Sequence, residues 1–145
     1  MYFVDRSKIE KTLLYVDQIL EVLRNHQATS FTEKLSLERM VHVSIEAMLD
    51  VGNMMIDGFI MRDPGSYDDI IDILVDEKVL PATEEKAYKT LVSLRKMLIS
   101  EYTDVNHDVL LEAKDAYHTV WSEFSSKIRT YLNNELGVAN AFSNE

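Results

Sequence analysis

The sequence predicts an all-α protein: an antiparallel up-and-down bundle of four long helices and one short one. Three observations carry this. Apolar residues recur at spacings of three and four along most of the chain. Only four glycines and two prolines interrupt its 145 residues. No segment alternates apolar and polar positions as a half-buried strand does. Brief turns between long amphipathic helices place sequence neighbours antiparallel. The length suits one domain, here bounded as residues 1–137, with 138–145 as a frayed tail after Gly137.

The elements follow in order. The first helix, roughly Arg6 to His26, sets Ile9, Leu13, Val16, Leu20 and Leu23 on one face. Ser30-Phe31-Thr32 interrupts, and Thr32 or Ser36 is expected to cap the second helix. That helix, about Glu33 to Met61, carries Leu37, Met40, Val41, Ser44, Met48, Val51, Met55 and Ile56. It is apolar on more than one face, which marks a central helix. Arg62-Asp63-Pro64-Gly65-Ser66 is a turn, and Ser66 with Asp69 fits a capping box opening a short helix from Tyr67 to about Glu77. Pro81 and the acids Glu84 and Glu85 mark the next start. This helix runs to about Ser100 or Tyr102, with Ala87, Leu91, Leu94 and Leu98 inside. The last helix, about Asp108 to Leu136, buries Leu111, Tyr117, Val120, Trp121, Phe124, Ile128 and Leu132.

Composition excludes several classes. An apolar fraction of 46% is too high for wholesale disorder. The absence of cysteine excludes a disulfide framework, a thiol nucleophile and a thiolate metal site. No apolar run approaches the length of a membrane span, and Met1-Tyr2-Phe3-Val4-Asp5-Arg6 lacks the pattern of a signal peptide. A cytoplasmic protein with no membrane partner is the expectation. A net charge of −10 argues against a broad, salt-driven grip on nucleic acid, while leaving room for a small basic cleft.

The candidate chemistry is sparse. There are four histidines, His26, His42, His107 and His118. His42, Glu46 and Asp50 share a helix face, and Asp115 with His118 loosely resembles half of a di-metal motif. The second ligand pair is missing, so a polar stripe beside the core is the expected reading and no metal or cofactor is assigned. The methionines of the second helix read as core rather than as a soft docking groove. No phosphate-binding glycine loop and no nucleophile elbow occurs. The segment Leu94-Arg95-Lys96-Met97-Leu98-Ile99-Ser100-Glu101-Tyr102 differs. Arg95 and Tyr102 are two helical turns apart and share a face, a seat for a phosphate and a stacked base. The alternative is an arginine lying beside a half-buried tyrosine.

This segment resembles the motif of the HepT-like branch of the HEPN superfamily: Arg, four residues, His, one residue, Tyr. Val79-Leu80-Pro81 before an acidic helix start and Ile45-Glu46-Ala47-Met48-Leu49-Asp50 resemble further parts of that family. The resemblance implies a small helical homodimer acting as a metal-independent ribonuclease. It also implies a toxin paired with a minimal nucleotidyltransferase antitoxin. It assigns Arg95 to the scissile phosphate, and Lys96 beside it is expected to bind substrate by adding positive charge to the cleft. Tyr102 would contact RNA or accept AMP from the antitoxin. Ser100 stands where the family has its histidine, and Lys96 where it usually has asparagine.

In the family, that histidine works with the arginine in activating the ribose 2′-hydroxyl. A serine hydroxyl does not titrate near neutrality, and losing acid–base assistance typically costs about 10²–10⁴-fold. The expectation is therefore a HepT-type RNA endonuclease of weak or lost activity, with Arg95, Ser100 and Tyr102 in the catalytic positions. The rival is a non-enzymatic dimeric interaction module. On one straight helix Ser100 lies about 140° from Arg95, so an irregular helix end or a second subunit is expected to complete the site. Glu46 and Asp50 are candidates to steer Arg95 by ion pairing.

Overall fold

Helix α1 (Arg6–Leu23) begins where the Asp5 carboxylate accepts the Ser7 backbone N–H at 2.8 Å. Its buried face is Ile9, Leu13, Val16, Leu20 and Leu23, the periodic set of the sequence. The computed structural model describes residues 4–135 and 140–142. Among them every regular element is helical, and the sole extended pairing is an isolated bridge between Val4 and Phe142.

Helix α2 (Phe31–Gly58) starts earlier than expected, and its cap is Ser30 rather than Thr32 or Ser36. The reason is the residue three places on. Ser30 Oγ accepts the Glu33 N–H at 3.1 Å, and Glu33 Oε1 accepts the Ser30 N–H at 2.9 Å. Thr32 and Ser36 are followed at that spacing by Leu35 and Arg39, which cannot reciprocate. The backbone N–H of Ser30 and the Thr29 and Ser30 hydroxyls hold the Glu33 carboxyl down at about 2. At the other end Ile60 takes a φ of 55°, which ends the helix before Met61. Buried residues on several sides of α2 confirm it as the central helix.

Helix α3 (Tyr67–Asp76) is capped by Ser66, whose Oγ accepts the Asp69 N–H at 3.0 Å. The box is only half closed. Asp69 turns instead to the Gly65 N–H and to a fork with Arg62 at 2.7 and 2.8 Å. Gly52 lets α3 close on α2, since a Cβ there would lie 2.7 Å from Ile70 Cγ2.

The expected fourth helix is two pieces, α4 (Glu85–Ser93) and α5 (Arg95–Ser100). At the joint the Leu94 N–H bonds back only three residues, to Leu91 at 3.1 Å, a local tightening of the helix. After Ser100 a 3-10 turn spans Tyr102–Asp104. The expected last helix is likewise α6 (His107–Ser122) and α7 (Phe124–Glu135). There the Glu123 N–H is shared by the Thr119 and Val120 carbonyls, both at 3.2 Å. Counted as continuous rods, these give the predicted five helices. Helices α1, α3, α5 and α6 all pack on α2.

The core holds Trp121, Tyr88 and Phe124 at its centre, with the Tyr88 hydroxyl donating to the Val120 carbonyl at 3.3 Å. Leu111, Tyr117 and Val120 pack at its margin, and Leu110 takes the fully buried place at the start of α6. The expectation of a frayed tail needs correction for residues 140–142. The Val4 N–H donates to the Ala141 carbonyl and the Ala141 N–H to that of Gly58, at 2.8 and 2.6 Å. Phe142 is buried, edge-on to Phe59 at 4.9 Å. Residues 138–139 and 143–145, the expected stop at Gly137 and residues 1–3 lie outside the described residues. Among the described residues no helix is long and apolar enough to cross a membrane.

Candidate functional site

The break at Leu94 makes Arg95 the first residue of α5, beside α2 and the start of α3. Its guanidinium is fixed on two sides. Nε donates to Glu46 Oε1 of α2 at 2.5 Å, and the guanidinium carbon lies 4.0 Å from the ring centroid of Tyr67, the first residue of α3. The Glu46 bond raises the Arg95 pKa further, against the opposing effect of burial. The cation is therefore permanent and held in place.

Glu46 was expected to steer Arg95, and it does. The same oxygen lies 3.4 Å from His42 Nε2, one turn back on α2. Asp50, a turn further on, makes no bond to Arg95. Burial, and then repulsion from Glu46, push its carboxyl pKa up. A second tie joins the start of α6 to α2, His107 Nε2 to Glu38 Oε2 at 2.8 Å.

An open groove of about 400 Å³ runs past Arg95, lined by Tyr67, Lys96, Ile99 and Ser100 among others. Arg95 and Ser100 both line it, although they leave α5 on different sides. Lys96 and Ser100 are exposed, and neither has an ion-pair or hydrogen-bond partner among the described residues. Tyr102 is placed differently from the sequence expectation. Helix α5 ends at Ser100, so Tyr102 falls in the following turn and does not share a helix face with Arg95. It is 68% exposed and is not part of the groove wall.

The metal alternatives do not assemble. Glu46 is engaged by Arg95, His118 lies against the Leu20 carbonyl and the Ser122 hydroxyl, and Asp115 is beside Lys114. Among the described residues no three His, Asp or Glu side chains gather as a metal site. Sequence reasoning missed Tyr67, because its contact with Arg95 crosses 28 positions and leaves no local signature.

The arrangement is a clamped guanidinium, a lysine beside it without an ion-pair partner among the described residues, and an open groove. Comparison with known proteins identifies the family. Residues 10–128 match the family described as ribonuclease HepT-like. The chain belongs to that family. The HepT-like chain is 48% identical over 143 residues to "Putative RNase YutE" of Bacillus subtilis (strain 168), covering 98% of this chain and 99% of that protein. The solved structure of B. subtilis YutE, described as a cytosolic protein of unknown function, matches with a TM-score of 0.88 at 49% identity. It covers 98% of this chain and 100% of that one. The fold also matches a tri-AMPylated Shewanella oneidensis HEPN toxin in complex with MNT antitoxin, with a TM-score of 0.74. That match is 16% identical and covers 84% of this chain and 96% of the toxin.

Proposed function

We propose that the HepT-like chain is a metal-independent RNA endonuclease of low turnover, acting at the groove beside Arg95. The observation that carries this is the fixed Arg95 guanidinium, bonded to Glu46 and stacked on Tyr67, beside the unpaired Lys96. A preorganised cation beside an open groove suits the charge that builds on a phosphate during cleavage. Ser100 occupies the acid–base position of the motif and is unsuited to proton transfer near neutrality, which accounts for the low turnover.

The active unit is proposed as a homodimer, in which two copies of Arg95 and Lys96 line one cleft. Its setting is the cytoplasm, in line with the cytosolic relative. A nucleotidyltransferase antitoxin is the proposed partner, by analogy with the distant toxin–MNT complex. Tyr102 is its proposed AMP acceptor, since its exposed hydroxyl is open to an enzyme. A transferred phosphate there would add negative charge beside the RNA seat.

The test is cleavage of short RNAs in EDTA by the parent, Arg95→Ala and Ser100→His. The parent should cleave slowly, and loss of Arg95 should cost about 10²–10³-fold. Ser100→His should cleave faster. If neither the parent nor Ser100→His cleaves, the dimeric interaction module is the better reading.

A further inference from the structure

We propose that Ser122 is a reactive serine, activated by His118, that accepts an acyl group from a small neutral ester where the end of α6 meets α1. The site goes beyond the ribonuclease reading and uses none of the residues around Arg95. The first argument is the tautomer of the imidazole. His118 Nε2 lies 3.2 Å from the Leu20 carbonyl oxygen of α1. A carbonyl only accepts, so this bond puts the ring proton on Nε2 and the lone pair on Nδ1. Ser122 Oγ donates to that Nδ1 at 3.3 Å. The two residues are one turn apart on α6, which brings the hydroxyl within reach of the ring.

The second argument is what stands behind the imidazole. Leu20 belongs to the last turn of α1, and its carbonyl also accepts the Arg24 N–H at 3.1 Å. The carboxyl end of a helix carries partial negative charge and stabilises an imidazolium. It does for His118 what the carboxylate does in a Ser–His–Asp triad. It orients the ring and favours the form that holds the serine proton.

The third argument is access. Ser122 is exposed, on the wall of a cavity of about 230 Å³ shared with Asp17, Leu20 and Glu21 of α1 and with Ser125, Ser126 and Arg129 of α7. Ser125 donates to Asp17 at 2.6 Å and Ser126 to the Glu123 carbonyl at 2.9 Å, so of these three serines Ser122 is the one that meets an imidazole. The cavity also selects its ligand. Arg129 is paired with Glu10 and Asp17 at 2.9 and 3.4 Å, and Glu21 adds a further acid. These surroundings disfavour a phosphate or a carboxylate and admit a neutral ester, with room for a short acyl chain.

The chemistry balances without a metal or an oxidant. Ser122 Oγ attacks the ester carbonyl carbon as its proton passes to His118 Nδ1. The new carbon–oxygen bond forms, and the bond from that carbon to the leaving oxygen breaks. The leaving oxygen takes the proton from the imidazolium. The products are an ester on Ser122 and an alcohol, and the imidazole is neutral again.

The test uses the full chain, with p-nitrophenyl acetate as the probe and peptide mass mapping as the readout. The proposal expects Ser122 to be acetylated at least about tenfold faster than the exposed Ser126 in the same sample. His118→Gln retains a donor for the Leu20 carbonyl and should keep the parent melting temperature. Its Ser122 acetylation should fall about 10²-fold or more. Arg95→Ala should be acetylated as the parent is. Acetylation of Ser122 no faster than Ser126 in the parent would overturn the proposal, and that comparison needs no variant. The parent rate at Ser122 in a folded His118→Gln would overturn it as well. Neither result bears on whether the chain cleaves RNA.

Discussion

At the scale of single residues, Arg95 is defined by what it cannot do. Its Nε is committed to Glu46 and one face to Tyr67, so the guanidinium is held from two sides. Holding a long side chain in one rotamer before binding removes an entropy cost of about 0.5–1.5 kcal/mol. Tyr67→Leu keeps the bulk of the contact but removes the ring quadrupole. It should weaken binding of a short non-cleavable RNA several-fold, read by fluorescence anisotropy, while Tm stays within a few degrees. The sequence singled out Arg95, Lys96 and Ser100 because they lie within one short segment. Tyr67 and the link from His42 to Glu46 and Arg95 were not legible there. They depend on how α2, α3 and α5 come together, which no local spacing encodes.

At the scale of the element, the ends and buried faces of the helices decide where the site residues stand. The cap at Ser30 fixes where α2 begins, and its buried set, with Leu37, Val41, Ile45 and Met48, fixes its phase and so the positions of Glu38 and Glu46, which meet His107 and Arg95. The Glu33 carboxyl of that cap is held at about 2 against an ordinary 4.5. A depressed folded pKa means that the cap's contribution is present above the unfolded value and is lost as pH falls through that window. Glu33→Gln should therefore lower Tm near pH 7, and the gap from the parent should narrow between pH 4.5 and 2, as followed by circular dichroism. The sequence placed this cap too late because Thr32 and Ser36 are also good capping types. Only the reciprocal glutamate distinguishes Ser30. The joints at Leu94 and Glu123 were equally hidden, since neither carries a glycine or a proline. They are local tightenings within an otherwise continuous apolar face.

At the scale of the whole molecule, the helical bundle and its five-rod count were legible because periodicity is strong and punctuation scarce. The docked residues 140–142 were not, since a small polar stretch after a glycine reads as a tail. Their seat depends on Gly58, where a Cβ would overlap the Phe142 ring. Gly58→Ala should expel Phe142 and lower Tm, whereas Phe142→Ala in the Gly58→Ala background should add little further. On the proposed reading, a net charge of −10 confines any RNA footprint to the few cations near Arg95. Binding should then show a shallow salt dependence, with a log–log slope of about −1.4 to −2.8 for two to four phosphates on single-stranded RNA. A steep slope would point to a basic surface elsewhere.

The most direct test of the account is end-group analysis of a short RNA incubated with the purified parent chain in EDTA. The account predicts slow accumulation of 2′,3′-cyclic phosphate and 5′-hydroxyl ends, abolished by Arg95→Ala. Intact RNA at every time point, or equal cleavage by Arg95→Ala, would contradict it.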